Sequence, residues 1–141
     1  MAIANVKVTL NKDIKTVWEI VTSLDNYAWR SDLSKIEVLE AGKKFIEYTK
    51  EGFATTFTIT MFESMKRYEF DMDNNNMCGH WTGLFSKIGN KTEIYFTENI
   101  TPKKWIMKPF VGIYLKKQQA VYISDLRKAL DPKTMTFDEI I

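Results

Sequence analysis

One cysteine, Cys78, and one histidine, His80, are the only thiol and imidazole in the 141 residues. A lone cysteine excludes an internal disulfide, and one cysteine with one histidine cannot complete a structural zinc site. No apolar run approaches the about 20 residues that a membrane-spanning helix needs, so stable membrane insertion is not expected. The opening residues, MAIANVKVTLNKD, alternate instead of forming an apolar stretch, and no signal peptide is expected. Charge of one sign is missing as well: 20 basic side chains are scattered among 18 acidic ones, for a net charge of +2. Without a basic block no nucleic-acid partner is expected, and without an acidic tail no histone-like one. What remains is the expectation of a cytoplasmic monomer or homodimer with no metal and no cofactor.

Hydrophobic residues make up 45% of the chain and charged residues 27%, the balance of a globular protein. The length suits one domain over residues 1–130, followed by a tail at 131–141. Aromatic residues reach 13%, which calls for either a bulky core or an apolar cavity lined with rings.

Ile3 to Leu10 alternate, with Ala4, Val6, Val8 and Leu10 on one face, and predict a strand. Asn11 and Asp13 offer N-cap side chains, and Ile14, Val17, Trp18 and Val21 continue at helical spacing to about Ser23. The stretch SLDNYAWRSD predicts a turn or a short second helix. From Ile36 to Ile100 the pattern is strand and turn. A two-residue turn at Gly89–Asn90 pairs Phe85 with Ile94, Gly83 with Phe96 and Trp81 with Glu98. One at Asn74–Asn75 sets Met72 against Met77, Phe70 against Gly79 and Tyr68 against Trp81. One at Ser64–Met65 sets Met61 against Tyr68, Ile59 against Phe70 and Phe57 against Met72. These three turns place Phe53, Phe57, Ile59, Met61, Tyr68, Phe70, Met72, Met77, Trp81, Phe85, Ile94, Phe96 and Ile100 on one face. The earlier strands, Lys35–Glu40 and Lys43–Thr49, join through Ala41–Gly42 and have two readings. One carries Glu47 inward with Ile36, Val38 and Phe45; the other turns Ile46 and Tyr48 inward.

Thr101 and Pro102 predict the N-cap and first position of a final helix running to Leu130, with a kink or break at Pro109. Its predicted sheet-facing stripe is Phe110, Tyr114, Val121 and Leu126, flanked by Val111, Leu115, Tyr122 and Leu130. An antiparallel sheet with one apolar face must cover it, and a long amphipathic helix is the cover available. The expected fold is therefore α+β, a helix-grip arrangement. A curved seven-stranded antiparallel sheet wraps around the C-terminal helix, with one or two short helices after the first strand.

Over residues 3–130 the chain resembles the START/Bet v 1-like superfamily, in particular its bacterial polyketide cyclase and lipid transport branch. The resemblance is carried by "VKVTLNKDIKTVWEIVTSLDNYAWRSDLSKIEV", "GHWTGLF", "TEIYFTE" and the closing "YLKKQQAVYISDLRKAL". It implies a deep cavity between sheet and final helix, opened by the loops and by the helix start. It implies no transferable catalytic set, because related proteins bind lipids, hormones, polyketides or other proteins.

Glu98 is the most informative single residue. On the same face as Ile94, Phe96 and Trp81, an unpaired carboxylate is costly. Either the strand end reaches solvent or a helix lysine pairs with it, or Glu98 serves the cavity as hydrogen-bond acceptor or proton donor. Around it the expected lining is Trp81, Phe96, Phe57, Ile59, Tyr68, Phe70 and Met72 from the sheet, and Phe110, Tyr114 and Gln118 from the helix. Tyr122 and Gln119 are further polar candidates, and Tyr27, Trp29 and Arg30 fall where an entrance loop belongs. Lys103, Lys104 and Lys108 make the helix start positive, either as a solvated cluster or as an attraction for an acidic ligand. Cys78 and His80 fall on the face opposite Trp81. Neighbours on one strand face stand about 6 to 7 Å apart, too far for a Cys–His nucleophile pair.

Three functions fit this pattern. The first is a binding protein for a hydrophobic or aromatic small molecule. The second is a cyclase, aromatase or hydratase in which Glu98 moves protons beside a carbonyl. The third is an interaction module with a filled interior that uses the outer sheet face.

Overall fold

Asp13 starts the first helix: its carboxylate accepts hydrogen bonds from the Thr16 backbone N–H at 3.1 Å and from Thr16 Oγ1 at 2.7 Å. The computed structural model describes residues 2–131. Its elements are β1 (Ala2–Leu10), α1 (Ile14–Thr22), β2 (Leu33–Glu40), β3 (Lys44–Thr49), β4 (Ala54–Glu63), β5 (Arg67–Asp73), β6 (Met77–Ile88), β7 (Lys91–Pro102), a 3₁₀ turn (Trp105–Met107) and α2 (Lys108–Leu130). The seven strands form one antiparallel sheet in the order β1-β7-β6-β5-β4-β3-β2. The expected 131–141 tail lies outside the described residues except for Asp131. The segment between α1 and β2 is a turn, with Arg30 N–H donating to the Tyr27 carbonyl at 2.9 Å, and not a second helix.

The β6–β7 hairpin has the expected register, with Phe85 opposite Ile94, Gly83 opposite Phe96 and Trp81 opposite Glu98. The β5–β6 hairpin differs by two residues: Met72 faces Gly79, Phe70 faces Trp81 and Tyr68 faces Gly83. Asn74 is the cause. Its side-chain oxygen accepts from the N–H groups of Asn76 (2.8 Å) and Met77 (3.0 Å), which widens the turn. A slip of two keeps every side chain on its face. In β4–β5 the pairs Phe57–Met72 and Ile59–Phe70 are as expected, but a bulge follows Ile59. Beyond it Met61 leaves the apolar face, and Phe62 packs edge-on against Trp18 and Tyr68 instead. In β2–β3 Ile36 opposes Glu47 and Val38 opposes Phe45, so Glu47 points inward.

Two expectations for the last helix are corrected. Pro102 ends β7, paired with Met77, and Thr101 caps nothing. The helix begins only at Lys108, with Pro109 in its first turn where a missing N–H costs no hydrogen bond; of the kink or break expected at Pro109 it is the break that occurs, the preceding residues forming a separate 3₁₀ turn. The buried stripe is Val111, Leu115, Gln119, Ile123, Leu126 and Leu130, while Phe110, Tyr114 and Val121 are exposed. The first turns of α2 are apolar on two sides, so periodicity alone cannot say which side meets the sheet.

The core forms two clusters. Leu10, Val17, Trp18, Tyr68, Phe85, Ile94, Phe96 and Leu126 make one; Ala4, Phe45, Phe57, Met72, Ile100, Val111 and Leu115 make the other. Ile59, Phe70 and Trp81 pack on both.

Candidate functional site

Strand alternation in β7 turns Ile94, Phe96, Glu98 and Ile100 to the inside. A cavity of about 170 Å³ remains between this face, the α1–β2 loop and α2. Its sheet wall is built from stacked rings. Phe70 and Trp81 lie parallel with centroids 4.8 Å apart, Phe45 and Phe57 with centroids 5.0 Å apart. Gly83 makes the first stack possible: a Cβ there would stand 2.4 Å from Trp81 Cη2, so the indole lies over the bare backbone.

Glu98 is 8% exposed, and among the described residues it makes no hydrogen bond or ion pair. Burial, reinforced by the negative charge of Glu47 and opposed by Arg30, pushes its carboxyl up to about 7. Near neutral pH it is close to half protonated, able both to donate and to accept a proton.

A second polar group comes from the loop. Arg30 Nε and Nη2 donate to the two Asp32 carboxylate oxygens at 3.1 and 3.0 Å. Nη1 and Nη2 reach the Glu47 oxygens at 3.4 and 3.5 Å. The guanidinium also lies over the Tyr122 ring, 5.0 Å from its centroid. Burial works against the charge of Arg30, but Glu47, Tyr122 and Asp32 outweigh it and hold its pKa above the ordinary value. Burial raises the Glu47 carboxyl too, because its contacts with Arg30 are long and offset only part of the desolvation. The loop is held in place by Asp125 of α2, whose Oδ2 accepts from Ser31 N–H at 2.8 Å and Ser31 Oγ at 2.7 Å. Ser23 Oγ accepts from Asn26 N–H at 3.0 Å, and Trp29 Nε1 donates to the Asn26 carbonyl at 3.0 Å.

Of the residues expected at the cavity, Trp81, Phe96, Phe57, Tyr68, Phe70, Met72, Glu98, Tyr114 and Gln118 line it, as do Tyr27, Trp29 and Arg30. Ile59 does not: it shares their face but is packed between the two core clusters. Phe110 does not either, because it lies on the outward side of α2. Gln119 is buried and donates through Nε2 to the Ala4 carbonyl at 3.0 Å, tying α2 to β1. Burial raises the hydroxyls of Tyr68, Tyr122 and Tyr114, so they stay protonated. The pairing of Arg30 with Glu47 and Asp32 is absent from the sequence reading. Its only signal is the Arg30-Ser31-Asp32 spacing beside a strand glutamate of unsettled register.

Cys78 and His80 lie on the outer sheet face, Cys78 exposed and His80 held between two carboxylates. His80 Nδ1 meets Asp71 Oδ1 at 2.7 Å and Nε2 meets Glu69 Oε1 at 2.6 Å. Burial alone would lower the imidazole pKa, but the bonds to Asp71 and Glu69 raise it. Among the described residues, no group of three or more His, Cys, Asp or Glu is arranged to hold a metal ion.

The family described as "Polyketide cyclase / dehydrase and lipid transport" matches residues 1–131. No curated protein matches the chain in sequence. Among solved structures, a START superfamily protein from Mycobacterium smegmatis superposes with a TM-score of 0.83 at 10% identity, covering 94% of this chain and 99% of that one. DynU16, a protein of the dynemicin biosynthetic locus, gives 0.76 at 13% identity, over 93% of this chain and 48% of its own. The Aha1 dimer from Colwellia psychrerythraea gives 0.71 at 17% identity, over 92% and 96%. Identities this low speak to the fold alone.

Proposed function

Since the chain belongs to the polyketide cyclase/dehydrase and lipid transport family, we propose that it holds a hydrophobic, lipid- or polyketide-like small molecule between sheet and α2. The observation that carries this reading is the cavity of about 170 Å³ with parallel ring stacks on one wall and one unpartnered carboxyl, Glu98, inside. Apolar parts of the ligand would lie along Phe70, Trp81 and Phe57. A carbonyl or hydroxyl would meet Glu98, whose protonated form donates a hydrogen bond. Arg30, already engaged by Asp32 and Glu47, would shape the mouth more than it would bind an anion. Native mass spectrometry of the folded chain with a panel of fatty acids, flavonoids and apolar dyes tests the reading. One-to-one complexes weakened by Trp81→Ala are expected; a panel without a single binder sinks it.

A second reading has one observation in its favour. A carboxyl at about 7, close enough to Tyr114 to raise its phenol, has the protonation needed for a proton shuttle beside a carbonyl. A cyclase-type enzyme would then use Glu98 as its acid–base group, and unchanged turnover in Glu98→Gln would remove that role. A filled-interior interaction module would require an inside without this space.

A further inference from the structure

The outward side of the α2 start is apolar and uncovered. Trp105 is 79% exposed, Ile113 70% and Phe110 66%, with Ile106 and Tyr114 beside them. Single exposed apolar side chains are ordinary on a protein surface; a contiguous group of this kind marks an interaction site. At helical spacing Phe110, Ile113 and Tyr114 share one side, roughly opposite the Val111, Leu115, Gln119 and Leu126 that α2 buries. Lys103, Lys104, Lys108, Lys116 and Lys117 flank them in the sequence, Lys117 falling on the side of Ile113 at helical spacing, and no Asp or Glu occurs in the chain between Glu98 and Asp125. Among the described residues, Lys103 alone of these lysines has an ion-pair partner, Asp73 at 2.6 Å.

Chemistry selects the occupant. A second copy of the same face would bring these lysines against each other. An anionic bilayer takes each feature at its own depth: isoleucine and phenylalanine at the acyl boundary, tryptophan among the headgroups, lysines on the phosphates. We propose that this face docks the protein reversibly on an anionic lipid surface. The contact is peripheral, since no helix among the described residues is long and apolar enough to cross a membrane. Tyr114 belongs both to this side of α2 and to the cavity lining, so a docked molecule sets its cavity wall beside the acyl chains. A role in exchanging ligand with the bilayer rests on the ligand-binding reading above; the docking itself does not.

Flotation of the full chain with vesicles of phosphatidylcholine and phosphatidylglycerol in equal parts tests the docking without any cavity ligand. Binding is expected on these vesicles and not on pure phosphatidylcholine. It weakens as salt rises, and carries a blue shift of tryptophan emission that Trp105→Phe abolishes. Phe110→Ser with Ile113→Ser should lower affinity at least about tenfold. Lys104→Glu with Lys117→Glu should lower it about fivefold for each charge. These side chains face solvent, so the variants keep the parent's thermal midpoint. The proposal is overturned if the parent does not float with anionic vesicles at low salt, or if Phe110→Ser with Ile113→Ser floats equally well. A dimer or protein complex that the same substitutions dissolve, without vesicle binding, also overturns it. Ligand titration in vesicle-free solution succeeds or fails independently of all these results.

Discussion

Replacing Glu98 by glutamine removes one ionisable group from the cavity while keeping its shape. In the folded chain this carboxyl sits at about 7, against 4.5 for an ordinary glutamate. Between those values the folded protein keeps a proton that the unfolded chain has lost. Stability therefore falls as pH rises through that window and levels off above it. The gap corresponds to about 3 kcal/mol, a large share of a small domain's total. Glu47, raised by burial, and His80, raised by its carboxylates, change stability in the same direction, so the parent's slope alone does not isolate Glu98. The difference between parent and Glu98→Gln does. Urea denaturation from about pH 5 to about pH 8 should show the two converging at the acid end, with the variant ahead by up to about 3 kcal/mol at the alkaline end. Parallel curves for the two proteins would refute the assignment of a buried, unpartnered carboxyl at this position.

Three further outcomes follow from the same geometry. Gly83→Ala pushes a Cβ into the Trp81 ring and should cost about 1–3 kcal/mol while altering near-ultraviolet circular dichroism, whereas Gly112→Ala, with open space around it, should leave that signal unchanged. Arg30→Met strands Glu47 and Asp32 without their cation and should destabilise by about 3 kcal/mol; adding Glu47→Gln should restore part of the loss in a double-mutant cycle. His80→Gln should cost less than about 1 kcal/mol, since the pair with Asp71 is half in solvent. That loss is greatest below the ordinary histidine pKa of 6.5 and disappears as pH passes the raised folded value, which histidine-detected NMR titration locates directly.

Alternation and turn chemistry were enough to read the inward faces of β5, β6 and β7. A two-residue turn at Gly89–Asn90 leaves one register open, and the pairing of Trp81 with Glu98 follows from it. A shift of two at Asn74 changed every partner and no face, so Phe70, Trp81 and Met72 were legible as inward residues despite the wrong pairing. The Ile59–Met61 bulge was not legible, because an extra residue leaves no trace in an alternating run until pairing reveals it. Nor was the seating of α2. With Phe110, Ile113 and Tyr114 on one side and Val111 and Leu115 on the other, both sides satisfy the helical period, and only contact with β1 and β7 selects between them.

The sequence by itself determined which residues of β5, β6 and β7 look inward, since that depends on a local period of two and on turns a few residues long. The charged cluster lining the cavity was decided only by tertiary structure. Arg30 meets Glu47 because Ser31 is tied to Asp125, 94 positions away, and no local pattern encodes a contact formed by closing so long a loop.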